Sequence, residues 1–221
     1  GVPMLARLIL VLTLAGLAAS THPIPLPFAS QLNLPFLAVA LFKELALGLL
    51  LSVGVHAAFA TFAIAGRLID AQMGFTLGAV LDPVSKGHAA VMASGLNMLA
   101  VVLFFASDAC HMLFAGYFQT FELLPIGMGT HLGGWFPVAH GVGSMFAIGF
   151  VMASPVVIAL LLSDVVVAVV SRNLPQMNVM FLSIPLKVLL GMAVMATSVR
   201  LMSPVAHQAL LLPMSLLDKV Q

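Results

Sequence analysis

Long stretches without a formal charge dominate the chain, at residues 8–42, 45–66, 87–107, 123–163 and 188–199. Carrying an ionisable group to the centre of a bilayer costs about 2.5–3.5 kcal/mol even on insertion scales, so charge-free apolar runs mark candidate membrane helices. About 20 residues span the hydrocarbon, and several of the runs are long enough. The first run is interrupted by Pro23, Pro25, Pro27 and Pro35. Its residues 8–19 resemble a signal-peptide apolar region after Arg7, but Ser20-Thr21-His22-Pro23 is a poor cleavage site, so the segment reads as a membrane helix followed by a proline-rich connection. Residues 109–121, held between Asp108 and Glu122, are too short to cross alone. They abut the preceding run at Ser107 and read as the second leg of a hairpin, or as a re-entrant segment whose backbone must be covered by protein or line a wet cavity.

Two further features shape the expected topology. The helix beginning near Gly141 should end by Asn173 or Leu174, because Pro175 lacks an amide donor and collides with the preceding turn; a broken helix pair is expected beyond it, through Pro185. Residues 66–86 carry Arg67, Asp70, Asp82 and Lys86 and read as a connecting loop in which, if helical, Arg67 pairs with Asp70 and Asp82 with Lys86. Gly54 and Ala58, and Ala57, Thr61 and Ala65, recur at four-residue spacing. Such a face of small side chains lets helix backbones approach closely. No repeat of fixed short period is evident, and the few Lys and Arg residues fall on several loops without the bias that would set an orientation.

Composition sharpens the picture. Hydrophobic residues make up 62% of the 221 positions and charged residues 7%, with a mean hydropathy of +1.19, whereas a soluble domain carries about 25% charged residues. So short a chain cannot hide this much apolar surface inside itself, which excludes a water-soluble monomer; the surroundings must be lipid or other hydrophobic subunits. A formal net charge of +1 gives no field to attract nucleic acid. The single cysteine, Cys110, cannot form an intrachain disulfide, and no spacing suggests a metal site.

Reactive groups do not converge in the sequence. There is no HExxH, no GxSxG, no P-loop and no dinucleotide fingerprint. Cys110 and His111 are adjacent, but neighbours on a helix point about 100° apart, so they make no nucleophile–base pair. The fourteen methionines read mainly as adaptable core filler; Met112, near the expected turn, with Phe104 and Phe105 on its approach, is a candidate for an apolar constriction that closes a channel by excluding water. Lys43, Glu44 and Asp164 adjoin apolar runs. Such residues mark proton or ion paths, or charged joints between subunits, and sequence alone leaves both open.

Five blocks occur in a telling order: Ala65-Gly66-Arg67-Leu68-Ile69-Asp70-Ala71-Gln72-Met73-Gly74-Phe75; Asp82-Pro83; Leu124-Pro125-Ile126-Gly127; Pro175-Gln176-Met177-Asn178-Val179; and Pro185-Leu186-Lys187. Together they resemble the FliR family, the R component of the flagellar type III export gate, with the injectisome export proteins as relatives. The resemblance covers essentially the whole chain. It implies an all-α, integral-membrane-type bundle of kinked, interrupted helical hairpins, built to assemble with homologous P-like and Q-like subunits and with a B-like subunit on the cytosolic side. It also implies a P-like part at roughly residues 1–140 joined to a Q-like hairpin at roughly 141–221, and, since the chain opens at Gly1-Val2-Pro3, a further N-terminal helix ahead of it.

From the resemblance follow the expected roles. Phe104, Phe105, Asp108, Cys110, His111 and Met112 fall where the family places a plug at the closed pore, although Asp108-Ala109-Cys110-His111 replaces the family's Asn-Gly-His-His and keeps only its last position. Lys43, Glu44, Arg67, Asp70, Asp82, Arg172, Gln176 and Asn178 are expected to face neighbouring subunits. The implied function is a non-enzymatic channel subunit of the bacterial inner membrane, in the flagellar basal body, passing unfolded export substrates, with no cofactor, no metal and no nucleic acid. A proton-coupled small-solute transporter using Asp164, Glu44 and the break at Pro175 is the competing class, with an intramembrane enzyme a distant third.

Overall fold

The computed structural model describes residues 3–21, 33–75, 90–123, 136–173 and 179–211. They form six α-helices, α1 (Met4–Thr21), α2 (Leu34–Met73), α3 (Val91–Ala106), α4 (Ala109–Leu123), α5 (Phe136–Asn173) and α6 (Val179–Leu210), and no strand occurs among the described residues. The all-α class expected from the charge-free runs is the class observed. Asp82, Gln176 and Asn178, with the Asp82-Pro83 and Leu124–Gly127 blocks, lie outside the described residues.

α2 is the spine, 40 residues long. At 1.5 Å per residue it extends about 60 Å, twice the thickness of a hydrocarbon core of about 30 Å, so a helix of this length cannot be confined to the bilayer interior. Pro35 sits in its first turn, where the missing amide would have had no partner anyway. The helix then runs uninterrupted through Lys43-Glu44 and through Arg67 and Asp70. This corrects the expected boundary at residue 66: charges raise the cost of burial but do not break backbone hydrogen bonds. Gly74 does end the helix, because its φ of 83° is left-handed and its amide turns back to the carbonyls of Ala71 and Asp70.

α5 ends at Asn173, as the following proline predicts, with Arg172 in its last turn beside the exposed carbonyl ends. α6 departs from expectation, running as one helix through Pro185 and Pro204 where a break was expected at Pro185. A proline deletes one helical bond, and tightly packed apolar helices tolerate that when the freed carbonyl finds another donor. The device is visible at Pro155 inside α5. Its missing amide would have bonded the Val151 carbonyl, and the Ser154 hydroxyl donates to that oxygen instead, at 2.8 Å.

α2 packs against α3, α5 and α6, and α5 packs against α6 as a hairpin. Gly54, Ala57, Ala58, Thr61 and Ala65 are all buried, so the small-residue face read from the sequence is the face on which the other helices close. Phe62, Ile69, Met73, Leu96, Met152 and Leu160 fill the centre. α5 crosses close to α2 at Gly149, where an added Cβ would lie 3.1 Å from the Thr61 carbonyl.

Outside this core the protein is apolar. Leu41, Phe42, Leu45, Phe105, Leu162, Val165 and Leu189 are each at least 60% exposed, and of α1 only Ala18 is buried. Hydroxyl groups turn inward to their own backbones instead of outward: Thr61 donates to Ala57, Thr120 to Gly116 and Ser144 to Gly141. Polar groups satisfied within their own helix under an apolar exterior suit hydrocarbon. Among the described residues four helices are long and apolar enough to cross a membrane, or up to five if the bent pair α3–α4 is one span.

Candidate functional site: the α3–α4 elbow and its anchor

α3 and α4 meet at Ser107-Asp108 with a bend of 67°. The second leg therefore turns away from the first without folding back along it, which makes an elbow of the expected hairpin. Its chemistry is local. The Ser107 amide closes α3 on the Leu103 carbonyl at 2.9 Å, and the Met112 amide opens α4 on the Asp108 carbonyl at 2.8 Å. The Ser107 hydroxyl accepts from the Ala109 amide at 3.4 Å.

The elbow gathers most of the residues expected at the plug. Phe105 is 70% and Met112 45% exposed; Asp108 and His111 are exposed and Cys110 half-buried. Phe104 is different. Its ring packs on Phe59 of α2 at 5.7 Å and edge-on to Phe105 at 5.3 Å, so it ties the elbow to the spine and leaves Phe105 projecting. Beneath the last turn of α3 is an apolar cavity of about 150 Å³, bordered by Leu99, Leu103 and Ser107 on one side and by Met195, Met202 and His207 of α6 on the other.

At its other end α3 is held by residues whose role the sequence did not reveal. Ala90 precedes the helix without capping it through a side chain. The cap comes from α2: Asp70 accepts the Met92 amide on Oδ1 at 2.9 Å and the Ala93 amide on Oδ2 at 3.0 Å. The carboxylate is 2% exposed, and a negative group at a helix N-terminus is favoured by the dipole as well as by these bonds. One turn earlier on the same face, Gly66 allows the close approach; a Cβ there would lie 2.2 Å from the Ala93 Cα. Asp70 thus has an inward role, and not the expected outward pair with Arg67 or the expected contact with a neighbouring subunit. The one available signal was spacing, since Gly66 and Asp70 are four apart and share a face, but a cap arriving from more than twenty residues away has no sequence signature.

The other expected contact residues are scattered. Arg67 and Arg172 are exposed and Lys43 is half-buried, whereas Glu44 lies in a groove between α2 and α4 beside Leu47, Tyr117 and Phe121. Asp164 of α5 pairs with Lys187 of α6 at 2.5 Å, both partly exposed. Sequence reading singled out Asp164 but not its partner, which comes from the other leg of the hairpin. Among the described residues no group of three or more His, Cys, Asp or Glu side chains is placed to hold a metal ion.

A spine longer than the hydrocarbon core is thick, an apolar exterior and an elbow that presents aromatic and sulfur side chains outward define a helical membrane protein. Comparison gives the family: the profile of the bacterial export proteins, family 1, matches residues 1–212, and the chain belongs to that family. The flagellar biosynthetic protein FliR of Bacillus subtilis strain 168 is 30% identical over 192 residues, covering 85% of this chain and 73% of the relative. FliR of Escherichia coli K12 is 29% identical over 163 residues, 73% of this chain and 62% of that protein. The surface presentation of antigens protein SpaR of Shigella sonnei is 31% identical over 154 residues, 68% of this chain and 59% of the relative.

Proposed function

We propose that this chain is a non-enzymatic structural and channel subunit of a bacterial flagellar type III export gate in the inner membrane, at the flagellar basal body. The match of the family profile across residues 1–212 carries the reading. In it the elbow residues Phe105, Asp108, Cys110, His111 and Met112 contribute to closing the path of unfolded export substrates, with Phe104 bracing them. Lys43, Glu44, Arg67, Asp82, Arg172, Gln176 and Asn178 are assigned to contacts with P-like, Q-like and B-like subunits. Roughly residues 1–140 form the P-like part, and most of the α5–α6 hairpin lies in the Q-like part at roughly 141–221. The apolar exterior supports this arrangement, since it needs either lipid or such neighbours to cover it.

The transporter reading loses one of its supports, since Asp164 is paired with Lys187 within the chain; the break at Pro175 lies outside the described residues. Deletion of the gene is expected to abolish filament assembly and motility, restored by the intact gene. The detergent-extracted protein should copurify with P-like and Q-like chains. A motile deletion strain, or a protein that extracts alone, would overturn the proposal.

A further inference from the structure

The two ends of α3 are built differently. Its first turn is gripped by Asp70, which holds the Met92 and Ala93 amides, and lies against Gly66 with no room for even a methyl group. Its middle rests on the core through Leu96 and Ala100, both buried. Its last turn borders the cavity of about 150 Å³ and ends in the exposed elbow. The 16 residues of α3 make a rigid rod of about 24 Å, so a small change of angle at the anchored end becomes a displacement of several ångström at the elbow, where the cavity lies on one side and the Phe104–Phe59 contact is the tie to α2.

We infer that Asp70 is a positioning residue for the elbow: with Gly66 it forms an anchor that ties the start of α3 to α2 and thereby sets where Phe105 and Met112 stand. The inference that this position matters for closure rests on the proposed function; the inference that Asp70 sets it does not. A helix cap made from outside the helix does two things at once. It satisfies amides, which any acceptor at position 90 could do, and it ties two helices together, which an acceptor at position 90 cannot do.

That difference supplies the test. Spin labels are placed at Ala106→Cys, the exposed end of α3, and at Ile158→Cys, exposed on α5, in a Cys110→Ser background, and their separation is measured in the full chain in lipid nanodiscs. Asp70→Ala combined with Ala90→Asp keeps the first-turn amides capped while cutting the tie to α2. The expected result is a shift or broadening of the label distance by several ångström relative to the parent. A distance distribution identical to the parent's overturns the inference, because capping alone would then suffice. If the double variant fails to accumulate, Asp70→Leu with Ala90→Asp, which fills the space of the carboxylate but offers α3 no acceptor from α2, is read in its place: a broadened distance supports the anchor and an unchanged one overturns it. Complementation of the deletion strain by the unsubstituted chain, with Cys110 in place, is run alongside. Failure there counts against the proposed function and leaves the distance measurement standing.

Discussion

Replacing Gly66 by alanine tests the α2–α3 joint most sharply. The new Cβ would sit 2.2 Å from the Ala93 Cα and 2.6 Å from its amide nitrogen, both backbone atoms that no rotamer change can move. Ordinary carbon–carbon contact is about 3.5–4.0 Å, so the start of α3 must retreat by roughly 1.3–1.8 Å. Asp70 oxygens now at 2.9 and 3.0 Å would then lie beyond hydrogen-bond range. Overpacking alone costs about 1–3 kcal/mol, and each lost bond to the buried carboxylate adds about 1.5 kcal/mol or more. Alanine's better helix propensity returns about 1 kcal/mol. A net destabilisation of about 3 kcal/mol or more is expected, read as a lower midpoint when the purified protein is unfolded in mixed micelles by increasing sodium dodecyl sulfate. Gly95→Ala is the control, since Gly95 lies on α3 with nothing within 4 Å of the added atom; it should gain about 0.5–1 kcal/mol. Equal midpoints for Gly66→Ala and the parent would refute the close crossing.

Three other outcomes follow from the structure. Ser154→Ala should cost about 1 kcal/mol, because the Val151 carbonyl beside Pro155 loses its donor, whereas in a Pro155→Ala background the amide at 155 takes over and the same change should cost nothing; equal losses in both backgrounds in the same unfolding assay would count against the hydroxyl's role. A double-mutant cycle over Asp164→Asn and Lys187→Met should give a favourable coupling of up to about 1 kcal/mol, the ordinary range for partly exposed pairs, and zero coupling would mean that the pair does not form. Phe105→Ala and Met112→Ala, both exposed, should leave the folding midpoint within about 0.5 kcal/mol of the parent while the assembled gate, in planar bilayers, passes more ions when closed; unchanged closure would remove these side chains from the plug.

The sequence by itself determined the class and most of the boundaries, because those depend on local or compositional physics. A charge fraction of 7% cannot belong to a solitary soluble domain, Pro175 forbids α5 to continue past its neighbourhood, and the polar Ser107-Asp108 step between apolar runs marks the elbow. The four-residue spacing of small side chains likewise gives the packing face of α2 directly. What the tertiary structure decided concerns groups that meet across long separations. Whether Asp70 looks outward to Arg67 or inward to Met92 and Ala93 depends on where α3 begins in space, and whether Asp164 stands alone depends on the return of α6 with Lys187. A local rule that counts only the bond a proline deletes places a break at Pro185; α6 nonetheless runs through Pro185 and Pro204 while packing against α2 and α5, which that rule does not count.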